Sequence, residues 1–248
     1  MKRIVLAVAI SVAISGAVLA AARIPTYIAM AVADAGRPQA DKDRDPLRMP
    51  AQVMAFAGVR PGQTVIELVP AKGYFTRILS KIVGANGHVY EALPQFQGPD
   101  VKPTSNGLAA DPQYANVSEI LLKLDAMKAA GPVDLIWTSQ NYHDMHLARL
   151  KLDVAALDKA LFESLKPGGV LFVEDHAAEP KSGLRDVDKM HRIDEAVVIK
   201  ELEAAGFKLD GESNILRSGA DTHVLSVFDP AIRGRTDQFL LRFRKPRR

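Results

Sequence analysis

The chain has 248 residues, 48% of them hydrophobic and 6% aromatic, with a formal net charge of +3 and no cysteine. That is enough sequence for one large domain or two small ones. The near-neutral balance excludes a nucleic-acid binder working through a basic face, and the missing cysteine excludes a disulfide framework and a lipid-modified cysteine anchor.

Lys2 and Arg3 precede an apolar run over residues 4–22, interrupted by Ser11, Ser15 and Gly16, with Val18-Leu19-Ala20 ahead of a cut at Ala21. This is the pattern of a secretory signal peptide, assigned to residues 1–20, and it predicts a periplasmic or secreted protein. Left uncleaved, residues 4–22 are long enough to anchor the chain in the inner membrane, and only then does it meet a membrane. Residues 21–45 read as an N-terminal arm. Pro25 opens a short apolar helix through Ile28, Met30 and Val32, Gly36-Arg37-Pro38 breaks it, and residues 41–45 read as a solvated charge run.

From Pro46 to the end, residues 46–248, the elements alternate. Residues 49–56 predict a helix closed by Gly58. Val65, Ile66 and Leu68 form a buried strand with Glu67 near its end, and Tyr74, Phe75, Ile78, Leu79, Ile82 and Val83 recur at helical spacing. A strand turning sharply into a helix exposes backbone N–H groups that bind anionic or nucleotide ligands. Glycine normally lets such a ligand approach; here Gly73 is present, but Val69, Pro70 and Ala71 occupy the turn. Residues 88–92 predict a second strand, a Pro/Gly-rich polar stretch follows, and residues 117–122 read equally as a strand or a helix start. Residues 133–138 are a buried strand. Asp153 caps a helix with Val154, Leu157, Leu161 and Leu165 inward. Residues 170–173 are another strand, and Asp194 caps a helix that Gly206 stops. Residues 207–209 and 238–243 read as a final strand pair. The basic residues Arg242, Arg244, Lys245, Arg247 and Arg248 read as a solvated chain end.

Strands alternating with helices predict an α/β fold: a parallel sheet covered on both faces. Ligands in such sheets bind beyond the carboxyl ends of the strands, which selects residues 67–76, 139–146 and 174–176. Four of the six histidines, His143, His146, His176 and His191, fall in or near these segments. One use is general-base chemistry, with Asp144 or Asp175 orienting an imidazole. The other is a divalent metal such as Mg²⁺, Mn²⁺ or Zn²⁺ on Asn141, Asp144, Asp175 and His176, although the spacing matches no metal motif.

The segments RMPAQVMAFAGV (48–59), ELVPAKGYFT (67–76), VDLIWTSQNYHDMH (133–146), LKPGGVLFVEDH (165–176) and HRIDEA (191–196) resemble those of class I S-adenosylmethionine-dependent methyltransferases. More narrowly, they resemble an exported bacterial family of methyltransferases, over residues 46–248. The resemblance implies a Rossmann-like, seven-stranded, mostly parallel sheet with an antiparallel last strand. It implies S-adenosylmethionine as cofactor and a small-molecule oxygen or nitrogen nucleophile as substrate. Glu67, Gly73, Tyr74, Thr76, Glu91, Asp125 and Asn141 are then the cofactor-binding candidates, with Glu91 at the ribose and Asp125 at the adenine. His143, His176, Tyr142, Asp144 and His191 are the catalytic candidates, with His143 or His176 taking the proton. The chain departs from the family pattern at Val69 and Ala71, which replace glycines. Two alternatives follow: a non-catalytic ligand-binding module, or a metal-dependent enzyme built on the His143/His176 cluster.

Overall fold

The computed structural model describes residues 24–94, 105–122 and 131–247. The signal segment, Asp125 and Arg248 lie outside the described residues. Four short helices come first: α1 (Thr26–Val32), α2 (Gln39–Lys42), α3 (Asp45–Arg48) and α4 (Pro50–Ala57). Then β1 (Thr64–Leu68), α5 (Tyr74–Val83), β2 (His88–Pro94), β3 (Val117–Leu122), β4 (Val133–Ser139), α6 (Val154–Ser164) and β5 (Leu165–His176) follow. The chain continues through α7 (Val187–Met190), α8 (Glu195–Ala204), β6 (Lys208–Ser213) and β7 (Gln238–Arg244).

The seven strands form one sheet in the order β3-β2-β1-β4-β5-β7-β6. Neighbours from β3 to β5 are parallel, and β7 runs antiparallel to both β5 and β6. Residues 117–122 are thus a strand. Successive side chains on a strand point to opposite faces. Val65, Leu135, Trp137 and Phe172 accordingly pack under α1, α4 and α5, while Ile66, Ile136, Leu171 and Val173 pack under α6 and α8. Asp153 Oδ1 accepts from the Ala156 N–H at 3.0 Å and Asp194 Oδ1 from the Ala196 N–H at 3.1 Å, so both predicted caps form.

Two expectations fail at the chain's charged ends. Residues 41–45 are not a solvated run. The buried Arg37 guanidinium donates to both Asp45 oxygens at 2.8 and 2.7 Å, and Asp41 pairs with Arg77 of α5 at 2.9 Å. These bridges seat the N-terminal helices against α5. The basic end is also structural. Arg242 and Arg244 lie within β7 and bind Asp210 of β6. Lys245 Nζ donates to the Phe162 and Leu165 carbonyls at 2.8 and 2.7 Å, satisfying orphan acceptors at the end of α6. No helix among the described residues is long and apolar enough to cross a membrane.

Candidate active site

The turn after β1 keeps the backbone of a glycine-rich loop without most of its glycines. Val69, Ala71 and Gly73 all take left-handed φ values, 51°, 52° and 74°. An L-residue there loses roughly 1–2 kcal/mol against glycine, most for a β-branched side chain. Such strain persists where the surroundings over-determine it, often at ligand sites. Gly73 itself faces Leu108 and Asn106. An added Cβ would lie 2.3 Å from Leu108 Cδ1, so a larger residue would have to displace that side chain and also hold a left-handed φ.

Glu67 and Glu91 sit side by side on β1 and β2. The Thr76 hydroxyl of α5 bridges them, 2.6 Å from Glu67 Oε2 and 2.9 Å from Glu91 Oε1. A hydroxyl has one proton, so one of the two carboxyls must itself donate. Burial pushes Glu67 up to about 8, which makes it the donor, and burial raises Glu91 as well. Glu91 Oε1 also accepts from Asn106 Nδ2. Glu91 Oε2 is buried with no hydrogen-bond partner among the described residues.

A cavity of about 620 Å³ opens beyond the ends of β1, β4 and β5. The turn 69–72 forms one side, Arg44 and Arg48 another, and Val227, Phe228 and Arg233 a third, with Asp144 and His176 in its wall. Behind Asp144 lies His143, which is 2% exposed. Asp175 Oδ2 accepts the His143 backbone N–H at 2.8 Å, and Asp175 Oδ1 lies 2.7 Å from Nδ1. His143 Nε2 lies 3.2 Å from His191 Nδ1 and 3.4 Å from Asp144 Oδ1. Burial alone would depress His143, but the Asp175 carboxylate outweighs it and holds the imidazole above its ordinary value. The same pairing overcomes burial at Asp175 and holds that carboxyl below its ordinary range.

The remaining candidates divide. The rings of His143 and His176 are 6.0 Å apart, so the sheet edge does bring them together. Their chemistry differs. Burial drives His176 down to about 3, and its Nδ1 rests 2.8 Å from Thr236 Oγ1. It is a neutral hydrogen-bonding wall, not the proton acceptor expected. Tyr142 points to the opposite face of the sheet, where its hydroxyl lies 3.0 Å from Asp158 and 3.2 Å from Glu201 beside a separate cavity under α6 and α8. It does not shape the crevice. Asn141 donates to the Leu68 and Ser139 carbonyls at 3.0 and 3.1 Å and accepts from Thr138, so its polar atoms splice β4 to β1. Tyr74 donates to Asp45 at 2.6 Å and packs beneath Arg48. The four-residue metal set does not assemble: Asp175 is turned onto His143 and Asn141 onto backbone. His146 Nε2 lies 3.1 Å from Glu201 Oε2, off the line of a hydrogen bond and away from the cavity.

Arg44, Arg48, Phe228 and Arg233 line the cavity and were not among the site residues read from the sequence. Arg48 donates to Ser139 Oγ at 3.0 Å, and Arg44 stands beside it over Tyr74. Phe228 and Arg233 come from residues 214–237, which contain no regular element and carry no periodicity to read.

No protein-family model matches the chain, and no curated protein matches it. Its fold is similar to solved structures. One is a SAM-dependent methyltransferase from Aquifex aeolicus, at 20% identity over 84% of this chain and 98% of that one, with a TM-score of 0.55. Another is an S-adenosylmethionine-dependent methyltransferase from Mesorhizobium loti, at 18% identity over 80% and 97%, with a TM-score of 0.54. The cyclase SpnF matches equally well, at 14% identity over 90% and 93%, with a TM-score of 0.56. At these identities the likeness establishes the architecture, that of class I S-adenosylmethionine-dependent methyltransferases, and one fold hosts more than one chemistry.

Proposed function

We propose that this protein is an S-adenosylmethionine-dependent methyltransferase acting on a small, anionic oxygen or nitrogen nucleophile. The observation that carries this reading is the turn after β1: Val69 and Ala71 keep the left-handed backbone of a ligand loop although neither is glycine. The residues present fit the cofactor. Glu91 carries a buried carboxylate oxygen with no partner among the described residues, directly beside Glu67, which lines the cavity of about 620 Å³ that the turn abuts, within the usual size for a cofactor site. Bound there, S-adenosylmethionine supplies an electrophilic methyl group. The chain's own part is to align the acceptor, exclude water and take a proton. His143 and Asp175 form the proton-accepting pair, reached from the cavity through His191 and Asp144. Arg44 and Arg233 border the cavity without an ion-pairing carboxylate among the described residues, which favours an acidic acceptor.

Calorimetry with S-adenosylhomocysteine tests this. One saturable site is expected, and Glu91→Ala should weaken binding roughly 10- to 100-fold, the value of a hydrogen bond to a charged group. Folded protein giving no heat at millimolar ligand would rule the reading out. The apolar run at residues 4–22 supports export; the mass of the mature N-terminus decides it.

A further inference from the structure

We propose that His143, Asp144 and His191 form a binding site for one divalent transition-metal ion of the zinc, cobalt or iron(II) type. The facing atoms are His143 Nε2, His191 Nδ1 and Asp144 Oδ1, separated by 3.2, 3.3 and 3.4 Å. Ligands about 2.1 Å from an ion are about 3.0 Å apart in octahedral geometry and about 3.4 Å apart in tetrahedral geometry. A nearly equilateral triangle of this size has its centre about 1.9 Å from each corner, so an ion at ordinary bond lengths sits just off its plane.

The support behind the triangle points the same way. Asp175 can only accept, so the Nδ1 proton of His143 is directed at it and Nε2 is left as a lone pair. A carboxylate behind a ligating histidine is the usual outer partner of a metal site. His191 Nδ1 and Asp144 Oδ1 complete the triangle of facing atoms, which a positive centre can bridge. His191 reaches its position through a left-handed backbone, φ 55°, at the end of α7. The side chains of His191 and Asp144 remain 24% and 31% exposed, and Asp144 lines the cavity, so further coordination positions are accessible to water or substrate. Two imidazoles and one carboxylate favour late first-row ions over Mg²⁺ or Ca²⁺. His176, part of the set expected from the sequence, is not a ligand.

This inference does not depend on the methyl-transfer reading: an ion on His143 Nε2 occupies the lone pair that reading assigns to the proton, so the two uses of His143 exclude one another, and the test of the ion uses no S-adenosylmethionine. The full chain is stripped with chelator and titrated with Co²⁺, followed by absorbance, and with Zn²⁺, followed by calorimetry. One ion per chain is expected, with visible Co²⁺ bands and no displacement by excess Mg²⁺. His191→Ala and Asp144→Asn, both partly exposed positions, should abolish the bands while leaving the circular dichroism unchanged. Asp175→Asn, which removes no ligand, should weaken binding roughly 10- to 100-fold, and His88→Ala on β2 should leave it unchanged. A folded wild-type protein without Co²⁺ bands at millimolar metal, or a His191→Ala protein that binds like wild type, would overturn the proposal.

Discussion

Replacing Arg192 with methionine is expected to lower stability by about 3–5 kcal/mol, the range for stripping one partner from a buried ion pair. Its guanidinium is fully buried and every arm is engaged: Nε with the Leu225 carbonyl at 3.0 Å, Nη1 with the Ala177 carbonyl at 2.9 Å, and Nη2 with Asp221 Oδ1 at 3.0 Å. Asp221 also accepts the backbone N–H groups of His223 and Asp237 at 3.0 and 2.7 Å. Burial alone would raise its pKa, but these donors and Arg192 outweigh burial and keep it ionised. Methionine fills the space but leaves a buried carboxylate without its counter-charge and two carbonyls without donors. Urea denaturation measures the loss. The double variant with Asp221→Asn should recover part of it, because the stranded charge is then gone. A single-variant loss below about 1 kcal/mol would contradict this account. The residues held by Arg192 carry Val227 and Phe228, so the same change should loosen one wall of the cavity.

Glu67→Gln is expected to change the pH dependence of stability strongly. The Glu67 carboxyl titrates near 8 in the folded protein against an ordinary value of 4.5. Between these values the folded state holds a proton that the unfolded state has released. Stability from this group is therefore greatest below pH 4.5, falls as pH rises, and levels off above pH 8. The slope is about 1.4 kcal/mol per pH unit. Glutamine mimics the protonated acid and donates to Thr76 in the same place. The variant and wild type should therefore be equally stable near pH 4.5 and diverge in the variant's favour up to pH 8. Comparing the two proteins cancels His176, whose depressed value of about 3 acts with the opposite sign below its ordinary 6.5. Parallel stability curves for the two proteins would show that Glu67 is ionised at neutral pH.

Most of the fold was legible because its signals are local. The apolar strands at 65–68 and 133–138, the helical spacing from Tyr74 to Val83, and the caps at Asp153 and Asp194 each need only their neighbours to be read. The site was legible only as a neighbourhood. Asp175 and His176 are adjacent in sequence, but adjacent strand residues face opposite ways. One therefore serves His143 while the other faces the crevice. His191 joins the cluster through a left-handed residue at a helix end, and no periodicity announces that. Tyr142 follows Asn141 directly yet emerges on the far side of the sheet. Nothing local marks Arg37 and Arg192 as buried, because their partners Asp45 and Asp221 are fixed by tertiary packing.

The placement of β7 bears on how the molecule comes to be made. It fills the slot between β5 and β6, so the edge of β5 stays unpaired until residues 238–244 have been synthesised. Pairing so distant in sequence is slow to nucleate, and an open strand edge invites wrong partners while it waits.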